Sequence, residues 1–336
     1  MTPQNDPGSV AAADRVAALE ASAAEPLQFN GSGRVLVGTA SWTDPTMTAA
    51  GVFYPSGADN AEARLQYYAS TFPVVEVDAT YYALPAERTS QLWVDRTPPD
   101  FTFDIKAHAL MTGQGTETKR LPKAIREALP EEQQAKSRVY AKDMPDEVQT
   151  EVWRMFRDGL APLAERGQLG SILLQYPKWV FPSNENRALI DDAAERLDGW
   201  KVAVEFRNGS WLNEKNVERT TRFLAERNIP FVMVDEPQGF KSSVPPETIV
   251  TSSDLALVRF HGRNADTWEK KGITPAERFR YLYSKDELQE WIPRIRQAAG
   301  EAKEVHLMFN NCYANYGTTN AREIAALLAD LEEDEK

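Results

Sequence analysis

Seven short apolar runs that each end in an ionisable or amide side chain constrain this chain more than any other feature. They are VVEVD (74–78), FTFDIK (101–106), SILLQ (171–175), KVAVEFR (201–207), FVMVD (231–235), LALVRFH (255–261) and VHLMFNN (305–311). VLVGTAS (35–41) adds an eighth run. Within the runs the polar residues share a parity: Glu76 with Asp78, Asp104 with Lys106, Glu205 with Arg207, Arg259 with His261. The intervening positions are Val75 and Val77, Phe103 and Ile105, Val204 and Phe206, Val258 and Phe260. Side chains of a strand alternate faces, so one face meets apolar neighbours and the other carries charge.

Helical patterns fall between these runs, at 62–72, 89–96, 145–167, 185–197, 214–228, 285–299 and 318–333. The longest places Val148, Val152, Phe156 and Leu160 four residues apart, opens on Pro145 and acids, and stops at Gly167. Alternating strands and helices imply a parallel sheet with helical crossovers. Eight repeats fit a (β/α)8 barrel of roughly 250 residues plus insertions. An open doubly wound sheet is the rival, but helices on both faces would call for near-continuous apolar strands. The expected fold is α/β, a (β/α)8 TIM-type barrel with a helical insertion after the third strand, at about 109–144. A flexible, Ala-rich tail is expected over 1–32 and a single barrel domain over 33–332.

The single cysteine, Cys312, excludes an internal disulfide and a multi-cysteine metal site. No apolar run approaches the roughly 20 residues that span a bilayer, which argues against a membrane protein. The N-terminus has no basic leader followed by an apolar stretch, so a secretory signal is not expected and the cytoplasm is the default location. Net charge is −12, and basic runs such as KRLPKAIR (119–126) are short and flanked by acids. That argues against extended nucleic-acid binding, which needs clustered cations, but leaves room for a local phosphate site. Oligomeric state is not legible in these patterns.

GTASW (38–42), FYP (53–55), VEVDATYYALP (75–85), FDIKA (103–107), LGSILLQYP (169–177), VAVEFRNGSW (202–211), RFHGR (259–263), YLYSKDEL (281–288) and FNN (309–311) together resemble the YecE-like family, the domain of unknown function 72. The resemblance runs in order from about residue 34 to 329. It implies a TIM-type barrel and leaves the chemistry open. Two departures stand out. Where the family often has Thr-His after the third strand, this chain has Thr112-Gly113, with His108 nearby. Where the family commonly has Asn, Asp78 adds a charge.

In barrel enzymes the chemistry sits at the carboxyl ends of strands. The candidate catalytic residues are therefore Glu76, Asp78, Lys106, Glu205, Asp235 and His261. Candidate substrate-binding residues are Trp42, Tyr81, Gln175, Arg207, Trp211, Arg259, Asn310 and Asn311. A structural salt-bridge network filling the lumen is the alternative, although buried ion pairs are inefficient stabilisers. Glu205 can orient a hydroxyl or act as a base while Arg207 grips a carboxylate or phosphate; a plain intramolecular pair is the competing reading. Lys106 suits a base or a Schiff-base amine, or neutralises Asp104 or Glu76. His261 suits proton transfer. Asn310 and Asn311 can donate and accept, and the aromatics can stack on a sugar or base. Cofactor identity is unknown. A divalent metal on Glu76, Glu205, Asp235 and His261 is considered but not favoured, because Lys106, Arg207 and Arg259 compete for the carboxylates. GxGxxG, P-loop and GxSxG patterns are absent.

The expected function is an enzyme, a hydrolase, lyase or isomerase, that acts on a small polar or anionic ligand such as a sugar, a sugar phosphate or a nucleotide fragment. Acid–base chemistry at the barrel mouth would carry it. A non-catalytic ligand-sensing or protein-interaction barrel and a nucleic-acid processing protein are the alternatives.

Overall fold

Runs dense in valine, isoleucine and aromatics favour extended backbone, since branched side chains pack well on a pleated surface. In the computed structural model, which describes residues 7–17, 19, 23–29, 31–49 and 51–334, all eight runs hold strands. In chain order the strands are β1 Leu27–Gln28, β2 Arg34–Thr39, β3 Val74–Val77, β4 Thr102–Lys106, β5 Thr116–Glu117, β6 Arg138–Val139, β7 Leu169–Tyr176, β8 Val202–Phe206, β9 Val232–Asp235, β10 Ala256–Phe260 and β11 Glu304–Phe309. The α-helices are α1 Pro7–Ala17, α2 Ala61–Ala69, α3 Glu87–Asp95, α4 Lys123–Ala128, α5 Glu131–Gln134, α6 Asp146–Arg166, α7 Asn184–Arg196, α8 Val217–Ala225, α9 Pro275–Arg278, α10 Lys285–Gln289, α11 Ile292–Glu301 and α12 Tyr316–Asp334. The fold class is α/β, of the (β/α)8 TIM-barrel type. The elements fall into two compact units, one built from 1–76 with 212–336 and the other from 77–211.

In the first unit β11 lies between β2 and β10, β9 flanks β10 and β3 flanks β2, all parallel. Gly38 sets the spacing of β2 and β3: a Cβ there would lie 2.0 Å from the Val74 carbonyl oxygen, so only glycine fits. Phe260 stacks on Phe309 at 4.4 Å, with Trp291 edge-on at 5.1 Å. The stretch expected as a tail carries α1, whose Ala12 is fully buried. Arg15 of α1 chelates Glu323 at 2.6 Å and donates to the Tyr283 carbonyl at 2.7 Å.

Two departures from a simple βα repeat occur in this unit. No helix joins β9 to β10; Pro237, Gly239, Pro245 and Pro246 occupy the connection, and proline lacks the N–H a helix requires. The expected 285–299 helix is broken between Gln289 and Ile292, just ahead of Pro293, which α11 accommodates in its first turn.

In the second unit β7 lies between β4 and β8, again parallel. Helix α6 closes on Gly167 with φ +75°. At Gly159 a Cβ would approach the Pro85 carbonyl oxygen to 2.2 Å, and Ser90 of α3 donates to the Gly159 carbonyl. The insertion is organised rather than irregular. Antiparallel β5 and β6 bracket α4 and α5.

Candidate active site

Gln175 at the end of β7, with Glu205 and Arg207 at the end of β8, joins Gln114 of the insertion and Tyr81 in a hydrogen-bonded rail of the second unit, beside Lys106 at the end of β4. Glu205 is fully buried at the end of β8. Its Oε1 accepts from Gln175 Nε2 at 2.8 Å and from Arg207 Nη1 at 3.1 Å. Gln114 Nε2 donates to the Gln175 carbonyl at 3.2 Å and to Thr112 Oγ1 at 3.0 Å. Gln114 Oε1 accepts from the Tyr81 hydroxyl at 2.8 Å, and the Lys106 ammonium lies 4.9 Å from the Tyr81 ring centroid. Thr80 pins the segment by donating to the Lys106 carbonyl at 2.6 Å. Tyr81, Lys106, Gln114, Gln175 and Arg207 are all half-buried, so the rail keeps a face toward solvent above one sealed carboxylate. Burial is the first cause raising the Tyr81 pKa, with Tyr82 adding to it and Arg138 opposing it.

Three other groups of this unit have structural surroundings. Asp104 is buried and accepts from Ser171 at 2.7 Å. His108 is buried and caps a 3-10 turn, and burial lowers its pKa to about 4. Asp78 is half-buried ahead of a 3-10 turn that its side chain does not cap. Trp211, expected as a rim aromatic, is instead enclosed. It has no exposed surface, stacks on Phe206 at 4.1 Å and donates its indole N–H to the Val180 carbonyl at 2.8 Å. Its large apolar ring seals the core beneath the β8 end.

In the first unit, Glu76 and Arg259 form a bidentate pair at 2.6 and 2.8 Å, each side chain 1% exposed. Their strand-end positions suggested a catalytic Glu76 and a substrate-binding Arg259; the fork-on-carboxylate geometry instead directs each onto the other, with both side chains buried. Asp235 is likewise saturated. Its oxygens accept from Arg263 at 2.7 and 3.0 Å, Tyr283 at 2.7 Å and Trp291 at 2.7 Å. Such a carboxylate is an anchor for Arg263 rather than a proton acceptor. Arg263 also reaches Glu290 at 2.8 Å, and hydrogen bonding to Asp235 raises its pKa. Burial, then Asp235, raises the Tyr283 pKa. A cleft of about 390 Å³ opens over Asp235, Glu236, Arg263, Glu290 and Arg294.

His261 is buried, with Nδ1 accepting from Asn310 Nδ2 at 2.9 Å, which puts the ring proton on Nε2 in this amide orientation. Asn311, expected to bind substrate, is fully buried and donates to the Tyr281 carbonyl and to Asn320 of α12, both at 2.9 Å, tying the segment around 281 to that helix. Trp42 is buried too, its carbonyl accepting from Tyr54 at 2.5 Å.

The structure thus brings Tyr81, Lys106, Gln175, Glu205 and Arg207 together, and separately joins Glu76 to Arg259 and His261 to Asn310. Sequence reasoning missed Gln114, Arg263, Tyr283 and Trp291. Arg263 continues the 259, 261 parity and was readable; Gln114 sits in the insertion and carried no signal. Among the described residues no group of three His, Cys, Asp or Glu side chains could hold a metal ion. No described helix is long and apolar enough to cross a membrane.

A family model described as "Protein of unknown function DUF72" matches residues 36–335. The UPF0759 protein YunF of Bacillus subtilis (strain 168) is 29% identical over 301 residues, 89% of this chain and 95% of that protein. The crystal structure of a DUF72 family protein from Thermotoga maritima MSB8 is 30% identical, with a TM-score of 0.68, over 88% of this chain and 99% of that one. A DUF72 family protein from Enterococcus faecalis V583 is 29% identical, with a TM-score of 0.64, over 79% and 93%.

Proposed function

Because this chain belongs to the DUF72 family, whose name assigns no activity, we propose a function from its own residues: an enzyme that binds a small polar or anionic substrate and performs acid–base chemistry at the ends of β4, β7 and β8. One observation carries the reading. The rail from Tyr81 through Gln114 and Gln175 to Glu205 and Arg207 is preorganised and half-open. Preorganised dipoles and charges that need not rearrange are what a transition state uses. Lys106 and Arg207 supply cationic contacts for an anionic group, Arg207 with its fork and Lys106 as a point charge. Glu205 is the proton-handling carboxylate, held in place by Gln175 and Arg207. A sugar, sugar phosphate or nucleotide fragment matches these donors and the Tyr81 face. The lone Cys312 fits a reducing, cytoplasmic setting.

A ligand-observed NMR screen of such compounds tests this. A binder is expected whose affinity falls by about tenfold or more in Arg207→Met, near 1.4 kcal/mol. Its conversion should fall by roughly 10²–10⁴-fold in Glu205→Gln, the range of general acid–base contributions. No binder, or one indifferent to both Arg207→Met and Lys106→Met, overturns the site. A binder that is never converted leaves a ligand-sensing barrel in place of the enzyme.

A further inference from the structure

The insertion forms a half-open pocket of about 550 Å³ whose lining includes Lys119, Lys123, Arg126, Lys136 and Arg138 against Glu117 and Glu127. Five cations against two acids give a local charge of +3 in a chain whose net charge is −12. The walls are tied together: Thr118 accepts no slack, its N–H donating to the Ser137 carbonyl at 3.0 Å and its hydroxyl to the Lys136 carbonyl at 2.5 Å. Both acids already face lysines, Glu117 with Lys119 at 3.1 Å and Glu127 with Lys123 at 3.6 Å. Exposed pairs of that kind are weak in water, so a stronger anion displaces them readily.

The arginines differ from the lysines. Among the described residues neither Arg126 nor Arg138 takes part in an ion pair. Arg126 holds its Nε buried with no hydrogen-bond acceptor. An orphaned buried donor loses its hydration without gaining a protein acceptor, which calls for an explanation. An oxyanion supplies the missing acceptor, and the planar guanidinium fork matches phosphate oxygens in pairs.

We propose that this pocket, which shares no lining residue with the rail although Arg138 lies within electrostatic reach of Tyr81, is an anion site that binds a small phosphate-bearing molecule through Arg126 and Arg138, with Lys136 beside them. The pocket volume falls in the roughly 300–1,000 Å³ range of small-molecule sites. The cations converge on one concavity and do not form the long stripe that a nucleic-acid backbone requires. The basic run 119–126, whose function the rail does not use, is one wall of this pocket.

Isothermal titration calorimetry of the full chain with inorganic pyrophosphate, at low and at physiological ionic strength, tests the assignment. One site per chain that responds to Arg126 and Arg138 is expected, separable from any pyrophosphate bound at the rail by titrating the Arg207→Met variant as well. Arg126→Met and Arg138→Gln should each weaken it by about tenfold or more, equivalent to about 1.4 kcal/mol. Glu127→Gln should tighten it, and Arg207→Met should leave it unchanged, which separates this site from the rail. Arg138 is exposed on β6, so its replacement remains informative even if Arg126→Met fails to fold. Absent binding, or binding unchanged in both arginine variants, overturns the proposal. So does a labelled oligodeoxythymidine that displaces pyrophosphate with a steep salt dependence, since that identifies a nucleic-acid surface.

Discussion

Two glutamate–arginine pairs in this protein share a chemistry and differ in almost everything else. Glu76 and Arg259 come from strands 183 positions apart, meet through two hydrogen bonds and are each 1% exposed. Glu205 and Arg207 sit two positions apart, meet at 3.1 Å, and Arg207 remains 19% exposed. The first pair has satisfied itself and closed. The second keeps a guanidinium facing outward and is chained through Gln175 and Gln114 to Tyr81. Charge at a strand end is therefore not by itself a mark of function. What separates the two roles is exposure: the Arg207 side chain keeps 19% of its surface open where that of Arg259 keeps 1%.

Breaking the sealed pair should have the largest effect. Arg259→Met leaves a buried, uncompensated Glu76 carboxylate and should lower unfolding free energy by about 3–5 kcal/mol in chemical denaturation. Glu76→Leu combined with Arg259→Met should be markedly less damaging than Arg259→Met alone, because no charge stays buried. If the single variant unfolds like wild type, the pair is not the structural clamp described here.

A pH titration gives the next effect. Buried His108 has its pKa lowered from 6.5 to about 4, so the folded state disfavours its protonation. The unfolded chain then binds the extra proton between those values. The His108 contribution is complete above pH 6.5 and is lost as pH falls toward 4, by about 3 kcal/mol in all. Comparing denaturation midpoints at pH 7 and pH 4.5 in wild type and His108→Gln should show a smaller acid loss in the variant. Equal losses would mean that His108 is not sealed.

The open pair should give the smallest stability change. Arg207→Met should shift unfolding free energy by less than about 1 kcal/mol, as expected for a partly exposed ion pair, while removing ligand binding. A stability loss matching that of Arg259→Met would erase the contrast and return Glu205 and Arg207 to the role of a clamp.

Much of the architecture was readable before any coordinates. Parity within VVEVD, VAVEFR and LALVRFH marked strands with one polar face, and each run holds a strand. The rail's own members Lys106, Gln175, Glu205 and Arg207 lie at strand ends for the same reason. Trp211 and Asn311 were misplaced because proximity to a strand end does not say which way a side chain turns. Trp211 turns inward to stack on Phe206, and Asn311 turns toward the Tyr281 carbonyl. Gln114 was invisible because an insertion has no period to read, and only its fold lays that amide against Gln175.

Strand, helix and fold class follow from short-range rules: side chains alternate every second residue along a strand and recur every three or four along a helix, so the amino-acid order alone determined them. Partner choice among the charges obeys no such local rule. Glu76 could have met Lys106 or Arg259 with equal justification on paper; packing put it beside Arg259, buried both, left Arg207 partly exposed and left Arg126 with a buried donor that has no acceptor. Electrostatic energy depends on distance and on exclusion of water, and both quantities exist only once the chain has folded.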